Sequence, residues 1–391
     1  MNKEQEYLIE LTKHYLSEKC AVLKKDIDYK RLFLLAKEHN LSGIIYCVVN
    51  SAENKSIIER ELFNTLQNTF FDLIYTSNMQ MQTLDELKAL LNQAGIRYAL
   101  FKGAVLRNIY PVPESRAMGD IDVLIDEEKR SAVKTLLTEN GFICKNSNGP
   151  VWDYEKNGVL FEIHTSILNG KVGSSTAPEY FENAIEKAVF SGCEGELSPE
   201  YHFEYLLCHI AHHFWFYGAG IKLILDLAVM LKHFEIDLDK VAADLDGCGL
   251  GDFSKTVLSV CFKWYSVGRD FGKSTEKTAE FLACHGAFGG TDRSAASVIE
   301  RKNLEDGKTP NVFCSRLRLL FPSYRKMREI PYIKFIDGRP YLTPYAWVYR
   351  LFYNIKNRKE FMMTAVKELG DSKADNSASQ EFDYFKEIGL L

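Results

Sequence analysis

The chain has 391 residues, which suggests roughly two or three domains, or one domain with large helical additions. Its 48 Lys and Arg against 53 Asp and Glu leave a net charge of −5. That excludes a surface built throughout to grip nucleic acid, because phosphate binding needs clustered cations, although it leaves room for a local basic groove. Hydrophobic residues at 46% and aromatics at 13% exclude disorder over most of the length.

No stretch reads as a membrane span. Ile221–Leu231 is interrupted by Lys222 and Asp226 and is too short for a bilayer. Met1–Glu10 is polar and acidic, unlike a signal peptide. Nine cysteines are scattered without a CxxC pair, which fits reduced thiols in a cytoplasm. A cytoplasmic protein is expected.

In chain order, the first 80 residues read as helix. Tyr7, Leu8, Leu11, Tyr15 and Leu16 recur at helical spacing, as do Leu62, Leu66, Phe70 and Leu73 within Ile57–Tyr75. Met79–Ala94 reads as a further helix, with Gly95 as its C′ residue. The pattern then shortens. Ile96–Phe101 and Asp120–Ile125 are apolar runs of strand length, and a helix with Val133, Leu136 and Leu137 runs to Gly141. Phe142–Cys144 and Val151–Tyr154 are weaker strands. Val159–His164 alternates, with Val159, Phe161 and Ile163 on one face and Leu160, Glu162 and His164 on the other. Beyond Pro199 helical periodicity returns in Tyr201–Phe216, Ile221–His233, Val257–Ser266 and Pro344–Lys356. Gly370–Gln380 is small and polar, a linker before a short helix at Glu381–Ile388.

The chemistry concentrates where the strands are. Asp120 and Asp122 are two apart on a strand, so their carboxylates project together and repel unless a cation lies between them. A hard divalent ion with oxygen ligands, Mg²⁺ or Mn²⁺, meets that need. Glu162 completes a three-carboxylate cluster if its strand is adjacent. Upstream, Lys102-Gly103 ends a strand and opens a short helix at Ala104–Ile109, where backbone amides can approach a phosphate. Lys102 and Arg116 add positive charge. A lone DxD also ends many ordinary strands; the three features together point to metal-assisted phosphoryl or nucleotidyl transfer.

Lys102-Gly103, Arg116, Gly119-Asp120-Ile121-Asp122-Val123-Leu124-Ile125 and Phe161-Glu162-Ile163-His164 resemble the uncharacterised bacterial nucleotidyltransferase family of the DNA-polymerase-β-like superfamily. The resemblance continues through His209–Met230 to Trp347-Val348-Tyr349-Arg350, roughly residues 80–355. It implies that the DxD pair binds two metal ions holding the triphosphate. It also implies that Glu162 helps bind the catalytic metal and orients the attacking hydroxyl, and that Gly103 holds the triphosphate. Two departures stand out: Gly103-Ala104 replaces the usual Gly-Gly or Gly-Ser, and Glu162 replaces the commoner Asp.

A second cluster is Cys208-His209-Ile210-Ala211-His212-His213, whose three histidines share a helix face. Such a face either packs with its nitrogens satisfied locally, lines the acceptor side of a cleft, or ligates zinc. Asp226 is either a buried partner for His or Arg or a cleft residue, and His164 shares the face of Glu162. Phe288-Gly289-Gly290-Thr291 and the basic run from Arg316 to Arg328 carry weaker signals.

The expected architecture is α+β: a small mixed-sheet nucleotidyltransferase core at 79–198, an N-terminal helical region at 1–78, a helical domain at 199–369 completing the cleft, and a linker with a terminal helix at 370–391. The expected activity is Mg²⁺-dependent transfer of an NMP group from an NTP to an acceptor hydroxyl. Asp120, Asp122 and Glu162 are the catalytic and metal-binding residues. Lys102, Gly103, Arg116 and Gly119 bind the nucleotide. His164, His209, His213 and Asp226 stand toward the acceptor, a small molecule or a protein rather than long nucleic acid. The alternatives are a nucleotide-binding protein without catalysis, or a zinc hydrolase using His209 and His213.

Overall fold

A computed structural model describes residues 1–216, 218–286, 321–328, 330–357 and 383–391. The Phe288–Thr291 loop, Arg316 and Arg318 of the basic run, and the linker at 370–380 lie outside the described residues. The chain divides into two compact units, Met1–Lys171 with Ser175–Gly290, and Val172–Ser174 with Thr291–Leu391.

The first unit opens with α1 (Lys3–Ser17), α2 (Tyr29–Glu38), α3 (Ser42–Ser51) and α4 (Arg60–Gln93). A capping box starts α1: the Asn2 side chain accepts from the Gln5 amide and the Gln5 side chain accepts from the Asn2 amide. The two helices expected at 57–75 and 79–94 are one 34-residue helix, so the boundary drawn at residue 78 falls inside it. Two polar residues in the middle of this helix make contacts to other elements. Ser77 is buried and accepts from Arg107 Nη2 at 2.7 Å, and Gln80 Nε2 donates to the Met118 carbonyl at 3.1 Å. The helix stops at Gly95 (φ 64°), where the amide of Ile96 bonds back to the Leu91 carbonyl, as the C′ expectation required.

A seven-stranded mixed sheet follows in the order β3-β4-β5-β2-β1-β7-β6. Its strands are β1 (Tyr98–Leu100), β2 (Asp120–Ile125), β3 (Ile143–Asn146), β4 (Val151–Lys156), β5 (Val159–His164), β6 (Val189–Ser191) and β7 (Glu194–Glu196). Short helices α5 (Gly103–Leu106), α6 (Arg130–Glu139) and α7 (Ala177–Tyr180) lie between them. The pairs β2–β5 and β1–β7 are parallel and the others antiparallel. The β6–β7 hairpin went unread in the sequence, because its three-residue strands are too short to show alternation.

Alternation sorts the central strands into two faces. Ile121, Val123 and Ile125 of β2 join Val159, Phe161 and Ile163 of β5, Leu84, Leu87 and Leu91 of α4, and Val133 and Leu137 of α6 in one buried core. The opposite face of the same strands carries Asp120, Asp122, Glu162 and His164. The core therefore fixes the register of the strands, and the register fixes the carboxylates.

Over that second face lie α8 (Pro199–Phe216) and α9 (Ile221–His233), followed by α10 (Leu238–Gly247), α11 (Gly251–Tyr265) and α12 (Glu276–Cys284). The ring of His39, at the end of α2, ties the N-terminal helices to this group. It accepts from the Ile221 amide at 3.3 Å, and its Nε2 lies 3.2 Å from the Ala283 carbonyl. No described helix is long and apolar enough to cross a membrane, and the eight described cysteines are all free thiols. In the second unit, α13 (Tyr324–Met327) and α14 (Thr343–Asn357) enclose a small core of Met327, Ile333, Ile336 and Ala346. Residues 383–387 form the terminal helix.

One close approach is set by a missing side chain. A Cβ on Gly43 of α3 would lie 2.6 Å from the carbonyl oxygen of Ser115, backbone that leads directly to Arg116. Gly43→Ala should therefore destabilise the first unit by about 1–3 kcal/mol, the usual cost of overpacking, despite the better helix propensity of alanine. Urea denaturation of the two proteins gives the difference directly.

Candidate active site

Parallel pairing of β2 with β5 sets Asp122 directly beside Glu162, with Asp120 opposite Leu160 and Leu124 opposite His164. The adjacency that the sequence left conditional is present. Asp122 is 2% exposed, too buried for a carboxylate to remain charged without partners, and it has two. Lys102 Nζ donates to its Oδ1 at 2.7 Å, and His164 Nε2 lies 3.0 Å from the same oxygen. The same His164 nitrogen is 3.1 Å from Glu162 Oε2. Sequence spacing assigned His164 to the face of Glu162; the structure adds that its ring bridges the two carboxylates.

The electrostatics follow from this crowding. Burial alone would raise Asp122, but Lys102 and the hydrogen bond from His164 outweigh it and hold the group at about 2. Glu162 is lowered chiefly by its hydrogen bond from His164. Burial pulls His164 down, yet its bonds to Asp122 and Glu162 leave it raised. Asp120 has no such partner. Burial and the charges of Asp122 and Glu162 push it up to about 6, with Lys102 only partly opposing. Negative charge at this face is thus incompletely compensated by the protein, which is the condition for holding a cation.

One ligand atom from each of Asp122, Glu162 and His164 lies within 4.8 Å of the others. The carboxylate oxygens suit Mg²⁺ or Mn²⁺, and the imidazole nitrogen is a ligand more typical of transition ions. Among the described residues this is the one such group of three. The expected set was Asp120, Asp122 and Glu162; in the structure His164 stands within the cluster and Asp120 beside it.

The segment Lys102–Leu106 turns as expected, with α5 at Gly103–Leu106 and a 3₁₀ turn through Ile109. Lys102 has φ 49° and ψ −126°, a conformation that costs a non-glycine residue about 1–3 kcal/mol. It is held by its amide, which donates to His202 Nε2 of α8 at 3.0 Å, and by its ammonium on Asp122. A Cβ on Gly103 would meet Arg116 Nη1 at 3.0 Å and Met118 Sδ at 3.0 Å, whereas one on Gly119 would meet nothing. A side chain at 103 therefore requires Arg116 or Met118 to give by a few tenths of an ångström, whereas one at 119 has open space.

Arg116 is committed inside the protein. Its Nε and Nη2 donate to Oδ1 and Oδ2 of Asp226 at 2.8 and 2.9 Å, and the Tyr110 hydroxyl adds a bond to Oδ1 at 2.6 Å. Asp226 is thus the buried partner of an arginine, and both residues also border the cavity. Nη1 of Arg116 points to the Gly103 turn.

These groups line a cavity of about 330 Å³ whose far wall is Leu206, His209, His212 and His213 of α8 with Lys222 and Leu223 of α9. His209 and His213 stand with their Nε2 atoms 3.1 Å apart, and the His209 ring stacks on Tyr205. Burial, then neighbouring positive charge, keeps His209 well below its ordinary range and His213 at about 4. The α8 histidines of the wall are therefore neutral at physiological pH, with the Lys222 ammonium beside them. No third metal ligand joins this pair among the described residues, as a structural zinc site would need. Lys222 was read in the sequence only as a break in an apolar run. Its helical position, one turn before Asp226, was the available signal.

Two substitution sets test this arrangement. At residue 102, glycine should give a protein about 1–2 kcal/mol more stable than alanine, since both lack the ammonium and only glycine relieves the positive φ; thermal melts of the pair decide it. Asp226→Ala should cost about 3–5 kcal/mol by stranding Arg116, while Arg116→Met with Asp226→Leu should recover much of that loss in a double-mutant cycle.

A model of an uncharacterised nucleotidyltransferase family matches residues 25–266. The match begins in the N-terminal helices and ends at Ser266, so it starts earlier than the expected resemblance and leaves out Trp347–Arg350. No curated protein sequence matches the chain significantly. Among solved structures, the antibiotic-resistance factor ANT(2'')-Ia is similar at 16% identity, with 44% of this chain and 92% of that one covered and a TM-score of 0.32. With the family model spanning more than half its length, the chain belongs to the uncharacterised nucleotidyltransferase family.

Proposed function

We propose that this protein transfers an NMP group from an NTP to an acceptor hydroxyl and releases pyrophosphate, with Mg²⁺ or Mn²⁺ as cofactor. The observation that carries this reading is the convergence of Asp122, Glu162 and His164, with Asp120 beside them, on one face of the β2–β5 pair. Asp120, Asp122 and Glu162 would hold the metal ions, with the His164 nitrogen next to them. The bound ions would supply Lewis-acid stabilisation of triphosphate charge and acidify the acceptor hydroxyl.

The rest falls to the chain. Lys102, Gly103, Gly119 and the Nη1 edge of Arg116 form the phosphate side of the cavity. Glu162, kept anionic by its hydrogen bond from His164, takes the acceptor proton. The acceptor oxygen forms a bond to the α-phosphorus as the bridging P–O bond opposite breaks, and the electron pair leaves with pyrophosphate. His209 and His213 stand on the acceptor side. The α8 part of the cavity wall, neutral imidazoles and Leu206, fits a small molecule or a protein hydroxyl better than the phosphate backbone of a long nucleic acid.

Asp120→Asn with Asp122→Asn should lower transfer from an α-³²P-labelled NTP by at least about 10³-fold while leaving the circular dichroism spectrum unchanged. Full turnover in the double variant would sink the assignment. Ala104 lacks the hydroxyl that serine supplies in relatives, and this motivates a second reading, a nucleotide-binding protein without catalysis. Calorimetric binding of NTP with Mg²⁺, without pyrophosphate release across a broad acceptor screen, would favour it.

A further inference from the structure

Three cations border the cavity, and two are already committed. Lys102 is paired with Asp122, and Arg116 with Asp226. The third, Lys222 in the first turn of α9, is different. Its Nζ donates to the Ala117 carbonyl at 2.8 Å, and among the described residues no carboxylate lies within ion-pair distance of it. A carbonyl occupies one of three N–H bonds and neutralises no charge. Burial first, and then the Arg116 charge, draw Lys222 down to about 8 against the opposing charges of Asp226 and Asp120, so it is still largely protonated at neutral pH.

An ammonium kept in a cavity wall with no carboxylate in direct contact is costly, and the cost falls when an anion arrives. The anion that fits must also approach Gly119 and Asp120, which border the same cavity. Bare carboxylates repel such an anion and divalent ions bridge it to them, as in a metal-complexed polyphosphate. We propose that Lys222 is a binding residue for the terminal phosphates of the NTP, and hence for the pyrophosphate product. This rests on the nucleotidyltransferase reading of the cavity. Lys222 also stands on the backbone just before Asp120, so its charge and its grip on Ala117 have to be separated.

Three variants of the full chain do so: Lys222→Gln, which keeps an N–H for Ala117 and loses the charge; Lys222→Met, which loses both; and Lys222→Arg, which keeps the charge. Each is titrated by calorimetry with inorganic pyrophosphate in Mg²⁺, with each of the four NTPs in Mg²⁺, and with Mn²⁺ alone. Pyrophosphate and NTP affinity should fall at least about tenfold in the Gln and Met variants and stay within about threefold in the Arg variant. Affinity for Mn²⁺ alone should be unchanged in all three. Wild-type pyrophosphate affinity in Lys222→Gln overturns the proposal. So does a matching loss of Mn²⁺ affinity, which would make Lys222 only a prop for the loop. If the unaltered protein binds neither pyrophosphate nor any NTP with Mg²⁺, the nucleotidyltransferase reading itself fails, and this inference with it.

Discussion

The structure depends on how the segment Arg116–Gly119 is held, because that segment delivers Asp120 and Asp122 to the sheet. Three residues on two helices grip it. Asp226 of α9 takes the Arg116 guanidinium in a two-point ion pair, Lys222 of α9 donates to the Ala117 carbonyl, and Gln80 of α4 donates to the Met118 carbonyl. A buried ion pair of this kind gains little over an apolar pair of the same volume, but its directional bonds define one geometry. Here that geometry joins a helix on each face of the sheet to the loop between them.

The same grip explains the division of charge in the cavity. Each strongly held pair is closed on itself: Lys102 with Asp122, Arg116 with Asp226, His164 between Asp122 and Glu162. What is left over is of both signs, an acid raised by its neighbours at Asp120 and, at Lys222, an ammonium with no carboxylate in direct contact. On the proposed reading, a metal-complexed polyphosphate would carry the matching charges, its cation toward the carboxylates and its anion toward the lysine. A site with every charge satisfied internally would have no electrostatic reason to bind either.

Strain sits in the same place. Lys102 adopts a backbone conformation suited to glycine, and its ammonium reaches Asp122 from there. The amide bond to His202 and the ion pair to Asp122 over-determine that conformation, which is how such strain persists. The helices covering this face therefore do more than cover it, since α8 supplies His202 and the imidazole wall while α9 supplies Asp226 and Lys222.

Much of this was legible in the sequence. Period-two alternation in Asp120–Ile125 and Val159–His164 separated the core residues from Asp120, Asp122, Glu162 and His164, because a strand leaves a side chain only two faces to occupy. The helices α8, α9 and most of α11 showed in their 3.6-residue periodicity, while α10 went unread, and the stop at Gly95 showed in its need for a positive φ. Local pattern could not say that β2 and β5 are neighbours, since that pairing is made by chain segments nearly forty residues apart. Nor could it say that Asp226 belongs to Arg116, that Ser77 and Gln80 make contacts from the middle of one long helix, or that Lys222 closes on a carbonyl instead of a carboxylate. Sequence by itself determined which residues share a face and which chemistry they carry. Only the tertiary structure decided which charges meet, because ion pairing depends on distances between elements that no local period encodes.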